Sequence, residues 1–238
     1  MITAIILAGG SSKRMGEGID KLMFQAAHHP LLAHVLLAFQ QCKDIDEIVL
    51  VARKDRQANY KNFAEKYRIS KLVTVISGGI ERQDSVWCGL QAISPHSQIV
   101  LIHDAARALV TTDIISKCIC AARKTGAAIP AARLQDTIKR TIPTSTVSAN
   151  GSYPLIEATL DRLQLWAAQT PQTFQLDLIR RAYEPLIQKR IVVTDDAAAV
   201  ERLGHLVSII ETTASNLKIT VHDDLVFAEA ILSNRKAI

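Results

Sequence analysis

The feature that most constrains the fold is a series of short apolar runs without regular polar alternation. They include "ITAIIL" (2–7), "EIVLVA" (47–52), "LVTVIS" (72–77) and "QIVLIH" (98–103). A strand that is apolar on both faces must be covered on both faces, which is the usual condition of strands in a parallel sheet. The runs therefore predict buried parallel strands.

Segments with helical spacing separate these runs. Helices are predicted at 30–42, 55–67, 82–93 and 113–124, and a further short strand at 127–132. Strand–helix–strand units of this kind are joined by right-handed crossovers. The pattern predicts an α/β protein with a Rossmann-like, mostly parallel sheet and helices on both faces.

The pattern changes near residue 136, where Thr, Pro and Val replace the continuous apolar runs. Asn150-Gly151 is a strong hairpin signal, and we predict a projecting antiparallel β-arm over about 138–162. The α/β pattern then resumes, with helices predicted near 176–188, 195–203 and 222–233 and strands at 206–211 and 217–221. We interpret the 238 residues as one domain (1–238) with an arm.

Composition limits the function classes. The chain has 48% hydrophobic and 21% charged residues and no apolar run long enough for a membrane span. The first apolar run lacks a basic flank, so we interpret it as a buried strand rather than a signal peptide. The four cysteines have neither metal-site nor disulfide-framework spacing. We expect free thiols and a cytoplasmic protein.

The charge balance is mildly basic, with 28 Lys+Arg against 23 Asp+Glu. No long basic run occurs, and aromatic residues make up only 5% of the chain. Isolated cations beside glycine-containing loops favour a small phosphorylated ligand over nucleic acid. We expect neither a nucleic-acid nor a membrane partner.

The loop "LAGGSSKRMG" (7–16) follows the first predicted strand. It lacks the dinucleotide fingerprint, because Ser12 and Met15 stand where glycines are required, and the Walker A spacing also fails. What remains is a turn with exposed backbone amides, followed by Arg14 and Lys21. Amides and cations in this order indicate a polyphosphate site at the end of the strand.

Further motifs follow this loop in a fixed order. They are "GGIERQDSVWCGL" (78–90), "IHDAAR" (102–107), "QDTIKR" (135–140), "LWAAQTPQTF" (165–174), "TDDAAAVE" (194–201) and "ASNLKIT" (214–220). Together, from about residue 4 to about 230, they resemble the 2-C-methyl-D-erythritol 4-phosphate cytidylyltransferase family of nucleotidyltransferases. The resemblance implies that CTP reacts with a phosphorylated polyol and that pyrophosphate leaves.

The resemblance also implies site residues. The catalytic cations are Arg14, Lys21 and Lys218. The nucleotide-binding residues are Ala8, Gly9, Gly10, Ser11, Gly79, Arg82, Ser85, Asp104 and Ala105. The substrate-binding residues are Arg107, Thr137, Arg162, Thr170 and Thr194.

Several of these residues also fit purely structural roles. Lys218 would lie on the face of a predicted strand that is either solvent or site, and Asp84 and Ser85 equally suit a helix cap. Asp104 is expected to meet a polyol hydroxyl or hydrated Mg²⁺, and Arg107 either to bind the polyol phosphate region or to orient Asp104. Thr194 precedes a helix that needs a cap.

Other residues are interpreted individually. His103, which ends a buried strand, is interpreted as structural. Ile80 stands where the family often has an acidic residue, which puts one nucleotide contact in doubt. Ala108 stands where the family usually has proline, and only a local change in stiffness is expected.

No set of Asp, Glu, His or Cys has metal-ligand spacing, so Mg²⁺ is expected to bind mainly through the CTP phosphates. The resemblance implies a homodimer formed through the arm, in which Arg162 completes the neighbour's site. Two alternatives stay open: a ribitol-5-phosphate cytidylyltransferase and a nucleotide-binding regulatory module without catalysis.

Overall fold

The computed structural model describes residues 1–10, 20–142 and 153–235. The strands in chain order are β1 (Ile2–Ala8), β2 (Gln25–Ala26), β3 (His29–Pro30), β4 (Glu47–Ala52), β5 (Leu72–Ser77), β6 (Ile99–Asp104), β7 (Ala127–Arg133), β8 (Lys139–Thr141), β9 (Ile156–Thr159), β10 (Trp166–Ala168), β11 (Gln172–Gln175) and β12 (Ser208–Thr212). The α-helices are α1 (Leu31–Gln41), α2 (Gln57–Lys66), α3 (Arg82–Ala92), α4 (Thr112–Thr125), α5 (Leu176–Lys189), α6 (Asp196–Glu201) and α7 (His222–Arg235).

Eight of the described strands form one sheet in the order β10-β7-β11-β6-β1-β4-β5, with β12 also paired to β7. The β1–β4, β1–β6, β4–β5 and β7–β12 pairs are parallel. The predicted α/β class and its mostly parallel sheet are confirmed.

The sheet also contains two antiparallel strands that the sequence did not indicate. β11 lies between β6 and β7 and runs antiparallel to both, while β10 pairs with the far end of β7. Their residues include the buried polar side chains of Gln172 and Thr173, so no apolar run marks them. They bring the 165–175 stretch beside the end of β6.

The two faces of β1 belong to two separate cores. Ile2, Ala4 and Ile6 pack in a cluster that includes residues of α1, α2, α4 and α7. Ile5 points to the other face, where residues of α3, α5 and α6 pack. This alternation of burial within a wholly apolar strand gives helices on both faces, as expected.

The predicted strand at 217–221 is wrong. The backbone of residues 217–220 forms no strand and is tied to the site by the hydrogen bond from Ile219 N to Ala106 O, 2.8 Å long. Ile219 is buried, whereas Val221 is exposed. Ile219 is therefore an anchored side chain in an irregular segment and not part of a sheet ladder.

The predicted antiparallel arm corresponds to β8 and β9, which pair with Lys139 opposite Thr159 and Thr141 opposite Ile156. Asn150-Gly151, the predicted hairpin turn, lies outside the described residues. Smaller differences occur elsewhere: α6 is shorter than 195–203, β12 begins two residues after 206, and the short β2–β3 hairpin was not predicted. Within the described ranges, none of the helices combines the length and apolarity needed to cross a bilayer.

Candidate active site

A cleft of about 330 Å³ opens at the carboxyl ends of β1 and β6. This is the edge at which open α/β sheets bind their ligands, and the volume suits a small molecule. Most of the predicted nucleotide-binding and catalytic residues line it: Ala8, Gly9, Gly10, Lys21, Gly79, Arg82, Ser85, Asp104 and Lys218. Parallel pairing of β1 with β6 brings these distant segments together.

Three of the predicted nucleotide-binding and catalytic residues remain to be placed. Ser11 and Arg14 lie outside the described residues. Ala105 is fully buried and donates its N–H to the Leu7 carbonyl at 3.0 Å, while its neighbour Ala106 lines the cleft instead.

Lys21 enters the cleft from a short 3₁₀ turn, Lys21–Met23. Asp20 caps this turn by accepting from Leu22 N, and its other oxygen accepts from Arg56 and from the Tyr60 hydroxyl. The Lys21 amine donates to the Ile219 carbonyl at 2.8 Å. The turn that carries Lys21 is therefore fastened to α2, and its amine reaches the segment that carries Lys218.

Asp104 is held between two cations at the end of β6. Its Oδ1 accepts from Arg82 Nε at 3.1 Å and its Oδ2 from Lys218 Nζ at 2.6 Å. Burial alone would raise the pKa of this carboxyl, but the attraction of Arg82 and Lys218 outweighs burial and holds the pKa far below its usual range. The cleft thus contains an ionised carboxylate, and Lys218, although partly exposed, lines the cleft.

The start of α3 is consistent with both roles expected for the 81–85 segment, as a helix cap and as part of the site. Glu81 and Asp84 form a reciprocal capping box, so Asp84 caps the helix. The Ser85 hydroxyl accepts from Gly79 N–H and donates to the Glu81 carbonyl, each at 3.2 Å, yet Ser85 also lines the cleft. A Cβ on Gly79 would lie 2.3 Å from Asp84 Cβ, so this close approach requires glycine.

Thr170 and His103 are buried and form a hydrogen-bonded pair that supports the backbone of Asp104. The His103 ring nitrogens lie 3.3 Å from the Arg107 carbonyl oxygen and 3.0 Å from Thr170 Oγ1. A carbonyl can only accept, so Nε2 carries the ring proton and Nδ1 accepts from the threonine hydroxyl. Asp104 N donates to the same hydroxyl oxygen at 3.1 Å. The single hydroxyl proton of Thr170 is thus donated to His103 and is not available to a ligand.

Burial dominates the protonation of His103. It lowers the pKa of the imidazole to about 3, against a smaller upward effect of Asp104. The ring is neutral at physiological pH, and both of its nitrogens are occupied. His103 therefore has the structural role that its place in a buried strand indicated.

Arg107 donates to backbone carbonyls instead of pointing at the cleft. Its terminal nitrogens lie 2.8 Å from Asn216 O and 3.3 Å from Ala168 O. Desolvation by burial lowers the pKa of its guanidinium. The side chain joins the loop after β6 to the last residue of β10 and to the segment that leads to Lys218.

Sequence reasoning missed two amides in the same assembly, Gln169 and Asn216. Asn216 Nδ2 donates to Gln169 Oε1 and to the Thr170 carbonyl, both at 3.0 Å, and Gln169 Nε2 donates to the Thr213 carbonyl. Both side chains are buried. The available signal was an amide inside each of two motifs, "QTPQ" and "SNLK", since buried amides usually form hydrogen bonds with one another or with the backbone.

The remaining predicted substrate residues lie outside the cleft lining. Thr137 and Thr194 are exposed, and Asp195 rather than Thr194 caps α6. Arg162, also exposed, donates to the Gln135 carbonyl at the base of the arm. Ile80 is almost fully exposed at the rim of the cleft, whereas Ala108 is buried.

The fold and the cleft together define a class. A mostly parallel sheet presents a glycine-containing turn, two lysines and a clamped aspartate at its ligand-binding edge, an arrangement suited to phosphate transfer rather than to acid–base hydrolysis. This is the class of α/β nucleotidyltransferases.

A family model described as 2-C-methyl-D-erythritol 4-phosphate cytidylyltransferase matches residues 2–234. The chain belongs to this family. A curated relative of that name from Geobacillus kaustophilus is 43% identical over 234 residues, covering 98% of each chain. One from Alkaliphilus oremlandii is 42% identical over 235 residues, covering 98% of this chain and 96% of the relative.

A solved structure supports the same assignment. The crystal structure of 4-diphosphocytidyl-2C-methyl-D-erythritol synthase from Anaerococcus prevotii superimposes with a TM-score of 0.83 at 32% identity, covering 97% of this chain and 95% of that one. The predicted family and nucleotidyltransferase class are confirmed.

Proposed function

We propose that the chain joins CTP to 2-C-methyl-D-erythritol 4-phosphate, giving 4-diphosphocytidyl-2-C-methyl-D-erythritol and pyrophosphate. A phosphate oxygen of the polyol substrate attacks the α-phosphorus of CTP in line, a new P–O bond forms, and the bond from the α-phosphorus to the bridging oxygen breaks. The observation that carries the proposal is the convergence of Lys21, Lys218 and the Gly9-Gly10 turn on one cleft in a member of this family.

The reaction does not need a general base in the protein. The second pKa of a phosphomonoester is about 6, so the attacking oxygen is mostly ionised at neutral pH. His103 has no free nitrogen for this task, because Thr170 and the Arg107 carbonyl occupy both. The difficulty is to bring two anions together, and fixed cations and positioning supply that kind of catalysis.

Each predicted site residue then has a proposed role. Arg14, Lys21 and Lys218 stabilise the triphosphate and the charge that develops on the α-phosphoryl oxygens, and the backbone of Ala8 to Ser11 holds the nucleotide. Gly79 and Ser85 line the nucleotide side, where Arg82 also lies. Arg107, Thr137, Arg162, Thr170 and Thr194 remain the proposed substrate set, although the hydrogen bonds of Arg107 and Thr170 favour supporting roles over direct contact.

Mg²⁺ fits this cleft as an ion carried mainly by the CTP phosphates and water, where it neutralises phosphate charge. Asp104 is a carboxylate in the cleft lining, but both of its oxygens already accept from cations. An outer contact from Asp104 to a hydrated ion suits this arrangement better than direct ligation. Within the described ranges, no three His, Cys, Asp or Glu side chains form a metal-holding group.

We further propose one domain whose arm makes a homodimer in the cytoplasm. Large apolar side chains on and beside the arm are exposed, namely Tyr153, Leu155, Ile156 and Leu163. A two-stranded hairpin has too little buried apolar surface to be stable alone, and a second copy of the arm would cover these side chains. The four cysteines, described as free thiols, suit a reducing compartment.

The test is pyrophosphate release by the purified chain with CTP, 2-C-methyl-D-erythritol 4-phosphate and Mg²⁺. We expect turnover that requires all three and that is at least tenfold faster than with ribitol 5-phosphate. Equal or faster turnover with ribitol 5-phosphate would contradict the substrate assignment. CTP binding without pyrophosphate release from any polyol phosphate would contradict catalysis and favour a regulatory module.

A further inference from the structure

Behind the cleft, Arg82 joins two carboxylates that come from different elements. It stands in the first turn of α3 and donates through Nε to Asp104. Its two terminal nitrogens donate to Asp196 in the first turn of α6, at 2.9 Å to Oδ1 and 2.7 Å to Oδ2. Every nitrogen of the guanidinium is therefore engaged, and Asp196 holds two of the three.

Asp196 is itself held rigidly. It has no solvent exposure, and the Tyr183 hydroxyl donates to the same Oδ1 that receives Arg82. Its backbone N–H and that of Ala197 both donate to Gln172 Oε1 at 2.9 Å, which ties the start of α6 to β11. A buried carboxylate without a cation would be strongly unfavourable, so the pair fixes Arg82 in one direction.

The direction of Arg82 determines what the next groups do. With two nitrogens on Asp196, the remaining Nε faces Asp104 Oδ1, and Asp104 turns its other oxygen to Lys218. The charges alternate in sign along Asp196, Arg82, Asp104 and Lys218, and the last three of these residues line the cleft. An Arg82 released from Asp196 would have a half-exposed guanidinium beside an anionic nucleotide and would turn toward it.

We propose that Asp196, supported by Tyr183, is a positioning residue for nucleotidyl transfer, since it directs Arg82 and, through Asp104, sets the position of Lys218. The inference rests on the proposed function for its reaction. It differs from a purely structural ion pair in one respect: loss of the Asp196 charge must change the rate of the chemical step in a protein that stays folded.

The main variant is Asp196→Asn, which keeps the shape and an acceptor for Tyr183 while removing the charge that holds Arg82. The matched control is Asp195→Asn. This neighbouring residue accepts from Ala198 N and from the Gln172 amide but has no contact with Arg82. Tyr183→Phe is a milder variant that removes only the hydroxyl contact with Asp196.

We expect kcat for pyrophosphate release to fall roughly 10–100-fold in Asp196→Asn, since small displacements of a catalytic group have effects of this size. The KM for CTP should stay within about threefold, and Tyr183→Phe should show a smaller fall in kcat of the same kind. Because Asp196 acts through Arg82, adding Asp196→Asn to Arg82→Gln should cause little further loss. Thermal unfolding of every variant verifies that it is folded at the assay temperature.

Three kinetic results would overturn the proposal. One is a kcat of Asp196→Asn within about threefold of the Asp195→Asn value, and another is a loss that adds fully to that of Arg82→Gln. The third result applies if Asp196→Asn does not fold: it is a kcat of folded Tyr183→Phe that equals the wild-type value.

The position of Lys218 can be tested without activity, which separates this inference from the proposed function. If the wild-type chain releases no pyrophosphate, the proposed function fails, and the crystal structure of Asp196→Asn still decides the geometric claim. We expect Lys218 Nζ to leave hydrogen-bonding distance of Asp104 Oδ2 in that variant. An unchanged Arg82–Asp104–Lys218 arrangement would overturn the inference.

Discussion

Lys21 and Lys218 show how two residues from opposite ends of the chain come to line one cleft. Lys21 is held by a turn capped by Asp20, while Lys218 is held by Asp104 and by the backbone anchor of Ile219. The Lys21 amine donates to the Ile219 carbonyl, so the two supports meet. At this scale, function depends on donors that are fixed before the nucleotide binds.

Lys21→Ala is expected to lower kcat by roughly 10²–10³, about 2.7–4 kcal/mol of transition-state stabilisation, because it removes a fixed donor to the phosphates. Arg14→Ala should have a similar effect. Steady-state pyrophosphate release measures both, and Lys124→Ala, on the exposed last turn of α4, is the control. A kcat near the wild-type value in folded Lys21→Ala would remove Lys21 from the catalytic set.

His103 predicts a pH dependence of stability. Burial, only partly offset by Asp104 and reinforced by Arg107, lowers its pKa from 6.5 to about 3 in the folded chain. Above pH 6.5 neither state binds the proton, so the full stability is present. As the pH falls from 6.5 toward 3, only the unfolded state binds it, and stability is lost.

We therefore expect the free energy of unfolding to fall by about 2 kcal/mol more in the wild type than in His103→Gln between pH 7.5 and 5. Denaturant titrations at several pH values measure how the free energy of unfolding changes with pH in each protein. A difference in absolute stability between the two proteins does not affect this comparison. Parallel pH profiles for the two proteins would show that folding does not lower the pKa of His103.

At the scale of elements, α3 lies so close to β1 that the contact tolerates no side chain at one position. A Cβ on Gly89 would stand 2.6 Å from Ile5 Cγ2, inside the second core. The same helix carries Arg82 and Ser85 at its first turn, so its distance from β1 sets the depth of the cleft. The packing of α3 against β1 in the core therefore also constrains the geometry of the site.

Gly89→Ala is expected to destabilise the chain by about 1–3 kcal/mol through overpacking. The sign is informative, because glycine to alanine inside a helix is otherwise favourable by roughly 1 kcal/mol. Thermal unfolding measures the effect, with Gln91→Ala on the exposed face of α3 as the control. A stabilised Gly89→Ala variant would mean that α3 can move away from β1 at no cost.

For the whole molecule, the arm predicts assembly. Among the described residues of the arm, large apolar side chains are exposed, and we propose that a second chain covers them; Arg162 lies at the base of the arm. Deletion of residues 145–155 is expected to give a monomer with poor turnover and nearly unchanged CTP binding, because the phosphate loop lies elsewhere. Sedimentation and calorimetry measure the two properties, and a deletion variant that remains dimeric would contradict this role of the arm.

A shared site makes a second prediction for the assembly. Mixing the inactive variants Lys21→Ala and Arg162→Ala should restore partial activity, because some heterodimers would contain one intact composite site. Subunit exchange is verified with differently tagged chains. If exchange occurs and the mixture stays as inactive as its parents, Arg162 acts within its own chain.

Much of this molecule could be predicted from the sequence because the relevant signals are local. Continuous apolar runs marked β1, β4, β5 and β6 within a residue or two, and the glycine-containing turn after β1 indicated the position of the cleft. The ordered motifs indicated the family, which the comparisons confirm. These features depend on neighbours within a few positions, where residue type decides conformation.

Only the tertiary structure decided which polar side chains face the cleft and which hold it together. Thr170 and Arg107 resemble substrate ligands in sequence, yet the Thr170 hydroxyl donates to His103 and the terminal nitrogens of Arg107 donate to backbone carbonyls. The antiparallel β11 and the irregular segment at 217–220 were likewise invisible, because their partners lie far away in sequence. A local pattern records which side chains must be buried, but their hydrogen-bond partners are determined by long-range pairing, and that exists only in the folded chain.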